Sequence, residues 1–347
     1  MKMKITMLLT KIKNNGDSPN GIHVFGSLKI DSVKITSWDH EKKKVITFDL
    51  EKRPGEELTK SMYDTVLPRP FIIVSNEASG MTNITNSEIA YLGYSCSKCS
   101  GISYYGGIGS IVKGNNIHHL LKGFYSKGMG AMVVENNTIH DNYLYGSDPH
   151  TGTHDMIISN NKVYGNNASA IICSKHCLNI QFEANEVYKN SGSNRSIALS
   201  INTTHSVVRN NNVHDQVSCT GSNRGSNFNT IADNVFSNCK IAVNLGDTSS
   251  NLIKNNKITG AQVAIVLQNT SNKIVHNTIE NSTNGIVLLK SSTGNQTASV
   301  NGNELEQVNS IPFLHNLTVV NEMTGVKNPI VVNTTNIASK NETKNPE

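Results

Sequence analysis

Charged residues are scarce in this chain. They make up 16% of its 347 residues, and aromatic residues make up only 5%, with a single tryptophan. The hydrophobic share, 37%, is also below the usual range of globular domains. Such a polar composition can indicate disorder, but isoleucine, valine and leucine recur at regular intervals, which is typical of a β-rich repeat protein. The net charge of +5 suits an anionic partner and is too small to indicate nucleic-acid binding.

Long hydrophobic runs are absent as well. None approaches the ~20 apolar residues that a membrane-spanning helix needs, so no inserted membrane segment is predicted. The first residues, MKMKITMLLTK, are basic, but their apolar stretch is too short for a secretory signal. Two expectations follow: the protein stays inside the cell, or a leader once preceded Met1.

The six cysteines, at positions 96, 99, 173, 177, 219 and 239, form no metal-binding pattern. Cys96 and Cys99 make one CxxC pair, but no second pair or suitably spaced histidines complete a zinc site. We interpret the cysteines as small buried side chains, with disulfides as the alternative for an exported protein. Calcium loops of the GGxGxD type are missing too, and no cofactor is predicted.

The chain divides into three parts. Residues 1–22 are a polar lead-in, residues 23–315 form the repeat domain, and residues 316–347 are a polar tail that we expect to be disordered. Apolar residues alternate over residues 28–39 and resume at residues 70–74, as they do in strands. The charged stretch between them, residues 41–64, is predicted to be a loop.

An asparagine-rich phrase repeats along the middle of the chain. Asparagine is followed closely by an apolar anchor, and the anchors recur every 21 to 26 residues, at Ile117, Ile139, Val163, Val187, Val213, Val235, Ile258 and Ile279. A leucine-rich repeat would need an LxxLxLxxN pattern and a helical half, and both are missing. The sequence therefore predicts an all-β fold, a right-handed parallel β-helix, in which stacked asparagines form hydrogen-bonded ladders and tight corners.

One stretch, from Tyr145 to Asp155, breaks the monotony of the repeats with the sequence YGSDPHTGTHD. Offsets from the anchors place Lys127, His150 and Lys175 above one another on one face of the coils. Since like charges repel and unpaired charges are not buried, this column indicates a groove for an anionic polymer. Two further candidates, Tyr125 and Arg195, share an offset of eight residues.

Other histidines follow the repeat itself. They stand at the position after the anchor that is usually histidine or tyrosine, and we interpret them as structural: His118, His119, His140 and His214.

A lysine one coil away from a histidine supplies the cation and the base that removal of a proton from a uronate sugar requires. A uronate sugar carries an acidic C–H at C-5, beside its carboxylate. Removing that proton requires a cation where enediolate charge develops and a base within hydrogen-bond reach. Reprotonation from the opposite face gives epimerisation, and loss of the group at C-4 gives lyase chemistry. The residues alone do not separate these outcomes.

Three stretches resemble the mannuronan C-5-epimerases: residues 87–94 (SEIAYLGY), 118–126 (HHLLKGFYS) and 140–150 (HDNYLYGSDPH). The chain is most similar to the single-domain, calcium-independent bacterial alginate epimerases, over about residues 28–290. The Tyr-Gly-x-Asp-Pro-His core is fairly specific to this family. The resemblance implies a right-handed β-helix, in agreement with the repeats, and an extracellular, cell-surface or periplasmic location.

The family's functional residues carry over by motif. His150 matches the histidine that abstracts the C-5 proton, Asp148 the aspartate that orients the site, and Tyr145 the tyrosine ahead of the motif. The later Ser-His of the family matches residues 153–154, so that His154 is either a second acid–base group or a hydrogen-bonding support.

Two positions depart from the family pattern. Lys175 stands where an arginine neutralises the substrate carboxylate, and it offers a point charge in place of a bidentate fork. Thr151 stands where the family commonly has an aspartate after the histidine.

The leading hypothesis is a monomeric epimerase that converts mannuronate to guluronate residues in an anionic polysaccharide. His150 is the predicted base, Lys175 neutralises the carboxylate, and Tyr145 or a water reprotonates from the other face. Substrate binding falls to Lys127 and Arg195, and Tyr125 stacks on a sugar ring or caps the groove wall. The alternatives are a polyuronate lyase on the same scaffold and a non-catalytic carbohydrate-binding β-helix protein.

Overall fold

The computed structural model describes residues 3–9, 21–39, 42–47, 69–192, 195–289 and 298–308. These ranges contain 31 strands and no helix, so they hold no helix that could cross a membrane. Nearly all strand pairs are parallel and link one coil to the next, with three short strands in a typical coil. The chain is therefore a parallel β-helix, as predicted, with three faces.

The strands of each face lie in register above one another. Face 1 contains β2 (Gly21–Val24), β6 (Phe71–Val74), β9 (Gly101–Tyr104), β12 (Lys122–Lys127), β15 (Ser147–His150), β18 (Ile171–Cys173), β21 (Arg195–Leu199) and β29 (Asn284–Leu289). Face 2 contains β3 (Leu28–Asp31), β7 (Thr82–Thr85), β10 (Ile111–Lys113), β13 (Val133–Glu135), β16 (Ile157–Ser159), β19 (Gln181–Glu183), β22 (Val207–Arg209), β24 (Thr230–Ala232) and β30 (Ser299–Asn301). Face 3 contains β4 (Val33–Asp39), β8 (Glu88–Ala90), β11 (Asn116–His118), β14 (Thr138–His140), β17 (Lys162–Tyr164), β20 (Glu186–Tyr188), β26 (Lys257–Thr259), β28 (Thr278–Glu280) and β31 (Glu304–Glu306).

Five other strands complete the set. Three long ones turn corners and contribute to more than one face: β23 (Asn212–Asn223), β25 (Val235–Lys254) and β27 (Val263–Val275). β1 (Met3–Leu9) pairs in parallel with β4, so a strand lies within the predicted lead-in. β5 (Lys44–Val45) pairs antiparallel with β4. Most of the predicted loop at 41–64 and all of the tail at 316–347 lie outside the described residues.

The predicted apolar anchors form one buried column on face 3. Ile117, Ile139 and Val163 pair in register and have no exposed surface. In one coil the prediction is wrong, because Val213 pairs with Phe236 rather than with Val235. Phe236 is fully buried, whereas Val235 is 45% exposed. Two adjacent apolar residues allow either assignment from sequence, and the larger ring fills the core.

The asparagine ladder is confirmed. Each side-chain amide donates to the next side-chain oxygen at 2.9–3.0 Å along nine coils. The members are Asn115, Asn137, Asn161, Asn185, Asn211, Asn234, Asn256, Asn277 and Asn303. In the repeated Asn-Asn pair, the first residue turns the corner with positive φ, as at Asn136 (φ 55°) and Asn160 (φ 54°). Asparagine tolerates this conformation better than most residues, which explains the doubled phrase.

The cysteine interpretation holds only in part. Cys173 and Cys177 are buried and free, but Cys96 and Cys99 form a disulfide, as do Cys219 and Cys239. The Cα–Cα distances of the two pairs, 5.3 and 6.0 Å, lie in the ordinary range for such a bond.

Candidate active site

β12 and β15 bring the predicted site residues together on the outer side of face 1. Lys127 lies directly opposite His150, and Tyr125 lies opposite Asp148, as the parallel register of the two strands requires. Side chains alternate between core and surface along a strand, so all four share the outward side. The predicted pairing of Lys127 with His150 is confirmed.

His150 is half-buried and close to several charges. Burial is the largest cause of its lowered pKa, and Lys122, Lys127 and Lys175 lower the pKa further. Asp148 acts in the opposite direction and raises it. Its ring lies 5.6 Å from the ring of Tyr125, measured between centroids. The imidazole is therefore neutral near pH 7, which is the form that a general base needs.

Thr151 contacts Nδ1 of His150 twice. Its hydroxyl lies 2.7 Å from Nδ1, and its backbone N–H lies at 2.9 Å. Because a backbone N–H can only donate, Nδ1 is the accepting nitrogen in this arrangement, and the proton of the neutral ring lies on Nε2. At the position where the related family commonly has aspartate, a neutral hydroxyl thus contacts the ring.

Asp148 has no exposed side-chain surface and is held by two partners. Nζ of Lys122 forms a 2.8 Å ion pair with Oδ2, and the Ser174 hydroxyl donates to Oδ1 at 2.5 Å. A buried carboxylate without such partners would be unstable. Asp148 therefore links β12, β15 and the end of β18 into one unit around His150.

Sequence reasoning missed Lys122. Its Nζ also lies over two aromatic rings, 4.5 Å from the centroid of Tyr125 and 5.6 Å from that of Tyr145. A signal was present: Lys122 lies five residues after Ile117, and Tyr145 lies six after Ile139. A tolerance of one residue in the spacing aligned Lys127 with His150, and it would also have aligned Lys122 with Tyr145.

The pKa of the Tyr125 hydroxyl is raised, mainly by burial, with smaller contributions from Tyr105 and Asp148.

Lys175 is displaced by one residue from the predicted column. β15 and β18 pair at Ser147 and Ile171, which places Ser174 opposite His150. Lys175 follows at an exposed bend. Its charge still reaches the imidazole, since it lowers the pKa of His150.

Arg195 does not align with Tyr125, contrary to the predicted shared offset. The register runs from Phe124 through Ser147 and Ile171 to Ile197, so Arg195 lies level with Lys122. The offset failed because the coil of Arg195 has two additional residues ahead of β21. The guanidinium donates to the backbone oxygen and the Oδ1 of Asn244, at 2.8 and 3.2 Å. Arg195 belongs to the same face as His150 and lies two coils after it.

His154 is not brought into contact with His150 in the described part of the chain. Its Nδ1 pairs with Asp155 at 2.8 Å, and its ring covers Gly130, where a Cβ would lie 2.5 Å from it. His154 and Asp155 therefore lie at the corner of the coil between β15 on face 1 and β16 on face 2.

The repeat histidines are structural, as interpreted. On face 3 the rings stack at centroid distances of 4.9–5.1 Å and interplanar angles of 7–16°. The stack contains His118, His140, Tyr164, Tyr188 and His214. His119 packs against Tyr91 beside it.

Two family models match the chain. Residues 71–227 match a right handed beta helix region, and residues 174–312 match a model described as periplasmic copper-binding protein (NosD). The first agrees with the predicted handedness. Within the described residues no three His, Cys, Asp or Glu side chains converge in a way that could hold a metal ion, so no residue here is assigned to copper.

Curated relatives are mannuronan C5-epimerases. Those of Pseudomonas fluorescens and Pseudomonas aeruginosa are 29% and 30% identical over 175 residues, which is 47% of this chain. The match spans 29% and 28% of their lengths, less than a third of either.

Solved structures show the same fold at lower identity. A variant of the periplasmic alginate epimerase AlgG has a TM-score of 0.61 at 19% identity, covering 87% of this chain and 71% of that one. The A-module of the Azotobacter vinelandii mannuronan C-5 epimerase AlgE4 has a TM-score of 0.52 at 15% identity, covering 85% and 91%. PfbA, a surface adhesin of Streptococcus pneumoniae, has a TM-score of 0.53 at 11% identity, covering 90% and 86%.

The right-handed β-helix thus carries, on the outer side of face 1, a half-buried histidine among several lysines. Among such proteins, the chain is similar to the mannuronan C5-epimerases over 47% of its length.

Proposed function

We propose that the chain is a polysaccharide C-5 epimerase that converts mannuronate to guluronate residues in an alginate-like polyuronate. The observation that carries the proposal is the pairing of Lys127 with a half-buried His150 whose pKa is lowered, on a face that also presents Lys175. The names of the curated relatives support the same substrate class.

In the proposed reaction, the neutral imidazole of His150 takes the proton from C-5, and the electrons of the broken C–H bond pass into the carboxylate as an enediolate. Lys175 lies near this carboxylate and stabilises the developing negative charge. A proton from Tyr145, or from a water, then forms a new C–H bond on the opposite face of the sugar. Both groups return to their starting protonation states by exchange with solvent, and no oxidant or metal is consumed.

The remaining residues bind and orient. Lys127 holds the carboxylate of a neighbouring sugar, Tyr125 presents an aromatic surface to a ring, and Asp148 fixes Lys122 and Ser174 around the base. Arg195 holds a more distant sugar, and its bonds to Asn244 fix the direction of its guanidinium. His154 supports the corner after the base and is given no role in proton transfer.

We also propose a periplasmic or extracellular location and action as a monomer. Disulfides such as Cys96–Cys99 form in oxidising compartments, and structural neighbours include a periplasmic enzyme. The groove is built from consecutive coils of one chain, so no second copy is needed to complete it.

Product analysis tests the proposal. Polymannuronate is incubated with the protein and examined by proton NMR for guluronate signals and by ultraviolet absorbance for unsaturated ends. Guluronate without unsaturated ends is expected. Unsaturated ends would replace the epimerase with a lyase, which uses the same base and cation. No reaction with polymannuronate or with a panel of other uronans would overturn the assignment and leave a binding protein.

A further inference from the structure

The groove on face 1 continues one coil before Lys127. Tyr104 pairs with Ser126, so Tyr105 stands level with Lys127 and His150. Its half-buried ring lies 5.8 Å from the ring of Tyr125, between centroids. Burial raises the pKa of the Tyr105 hydroxyl, and the charge of Asp148 adds to the effect. The aromatic surface beside the base therefore extends to Tyr105.

A short loop, residues 94–99, is fastened next to this ring. The Cys96–Cys99 disulfide closes it, and the Tyr94 backbone N–H donates to the Cys99 carbonyl at 2.9 Å. The Tyr105 hydroxyl donates to the Ser97 carbonyl at 3.2 Å. The loop is thus held both by its disulfide and by the hydrogen bond from Tyr105.

This loop presents a cation to the groove. Lys98 is exposed, and its Nζ lies 5.5 Å from the centroid of the Tyr105 ring. The ion pairs found among the described residues include neither Lys98 nor Lys127, whereas Lys122 is paired with Asp148. Two lysines that have no carboxylate partner in the described part of the chain therefore stand in succession along the same face as His150.

We propose that the loop 94–99 is a further binding site for the polyuronate chain, in which Lys98 holds the carboxylate of a sugar beyond the one at Lys127. The site takes the substrate of the proposed function and rests on it. Tyr105 and His150 are two coils apart, about 10 Å at the spacing of neighbouring strands. The contact therefore strengthens the binding of long chains and is out of reach for short ones.

Affinity for chains of different length tests the site. Binding of polymannuronate and of short oligomannuronates is measured by calorimetry for the wild type, Lys98→Gln, Lys98→Arg and Lys273→Gln. Lys273 is an exposed lysine on face 2 and serves as the matched control. Lys98→Gln is expected to weaken polymer binding two- to fivefold, the range of one exposed ion pair. Lys98→Arg and Lys273→Gln keep the affinity, and short oligomers bind all four proteins equally.

The outcomes separate the two proposals. A wild type that binds no uronan would overturn the proposed function. Polymer binding that Lys98→Gln leaves unchanged would overturn the loop site alone, and so would an equal loss for short and long chains.

The disulfide gives a second test that does not touch the lysine. Cys96 is exposed, so Cys96→Ser opens the loop with little effect on the core. It is expected to weaken polymer binding as much as Lys98→Gln does, and the double variant should lose no more than either single one, because both changes remove the same contact. Additive losses would contradict a role of the disulfide in holding Lys98, and thermal unfolding checks that the variants are folded.

Discussion

Thr151 forms hydrogen bonds with one nitrogen of the candidate base. Its hydroxyl and backbone N–H both contact Nδ1 of His150, and burial with three lysines keeps the pKa of the ring below its ordinary value. The neutral form of His150 therefore persists to lower pH than in a solvated histidine. Activity that depends on this base rises with pH through a pKa below about 6.5.

Two replacements of Thr151 should change proton abstraction by His150 in different ways. Thr151→Val removes the hydroxyl at nearly constant shape and should lower kcat/KM roughly fivefold, about the value of one hydrogen bond. Thr151→Asp places a negative charge beside the ring, which raises the pKa of His150 and moves the acidic limb of the pH profile to higher pH. Profiles of kcat/KM against pH measure both. An acidic limb that stays in place in Thr151→Asp would show that His150 is not the group that titrates.

Lys122 is predicted to stabilise the site by compensating a buried charge. Lys122→Met leaves the Asp148 carboxylate buried with only the Ser174 hydroxyl, and should lower the free energy of unfolding by about 3–5 kcal/mol. Lys162→Met is the matched control, because the Lys162–Glu186 pair is exposed, with side-chain exposures of 47% and 43%. Its loss should stay below about 1 kcal/mol. Urea unfolding compares the two, and equal losses would contradict the account of Asp148.

The sequence predicted part of the site and missed its internal contacts. His150 and Lys127 followed from counting along the repeats with a tolerance of one residue, which covers the one additional residue between Ile139 and His150. The ion pair of Lys122 with Asp148 was missed because the two residues lie at different offsets from their anchors, five and nine residues, so that counting along the repeats does not align them. Lys175 was placed one residue off because the same tolerance accepted an offset of 12 residues from Val163, whereas His150 lies 11 residues after Ile139.

At the scale of elements, the ring stack on face 3 makes stability depend on pH. His118 stacks on His140 and contacts Glu88, and burial together with the nearby His140 and His119 lowers its pKa to about 4. An unfolded chain binds a proton at this residue below about pH 6.5, whereas the folded chain does not until about pH 4. Acidification between these values therefore favours unfolding.

His118→Phe keeps a stacking ring and removes the titrating group. The free energy of unfolding of the wild type should fall as the pH is lowered from 6.5 to 4, and the variant should lose less over the same interval. Urea unfolding at several pH values provides the comparison. An identical pH dependence in both proteins would mean that His118 does not contribute.

The elements themselves were largely predictable, because Asn-Asn corners and apolar anchors recur at nearly constant intervals. The predicted alignment of residues was wrong where the number of residues per coil changes, or where two adjacent apolar residues fit the same core position. The coil of Arg195 is longer ahead of β21, and Val235 stands next to Phe236, which takes the core position. A pattern of spacing cannot show on which side of the repeat an insertion falls, since only the pairing of strands in three dimensions fixes that.

At the scale of the whole molecule, the stacked coils bring single side chains together on the face that we propose binds the polymer. Lys98, Lys127, Lys175 and Arg195 come from different coils, and none of them is a sequence neighbour of another. Successive coils repeat at the spacing of parallel strands, so these cations recur at regular intervals, as do the carboxylates of the proposed substrate. His150 is the one neutral base within that row, and the central claim is that it removes the proton from C-5.

Deuterium incorporation tests this claim most directly. Polymannuronate is incubated in deuterated water with the wild type and with His150→Ala, whose fold is checked by thermal unfolding, and C-5 is followed by NMR. The account predicts guluronate carrying deuterium at C-5 with the wild type, and neither guluronate nor exchange at C-5 with the variant. Exchange at C-5 that continues in His150→Ala would contradict the assignment of His150 as the base.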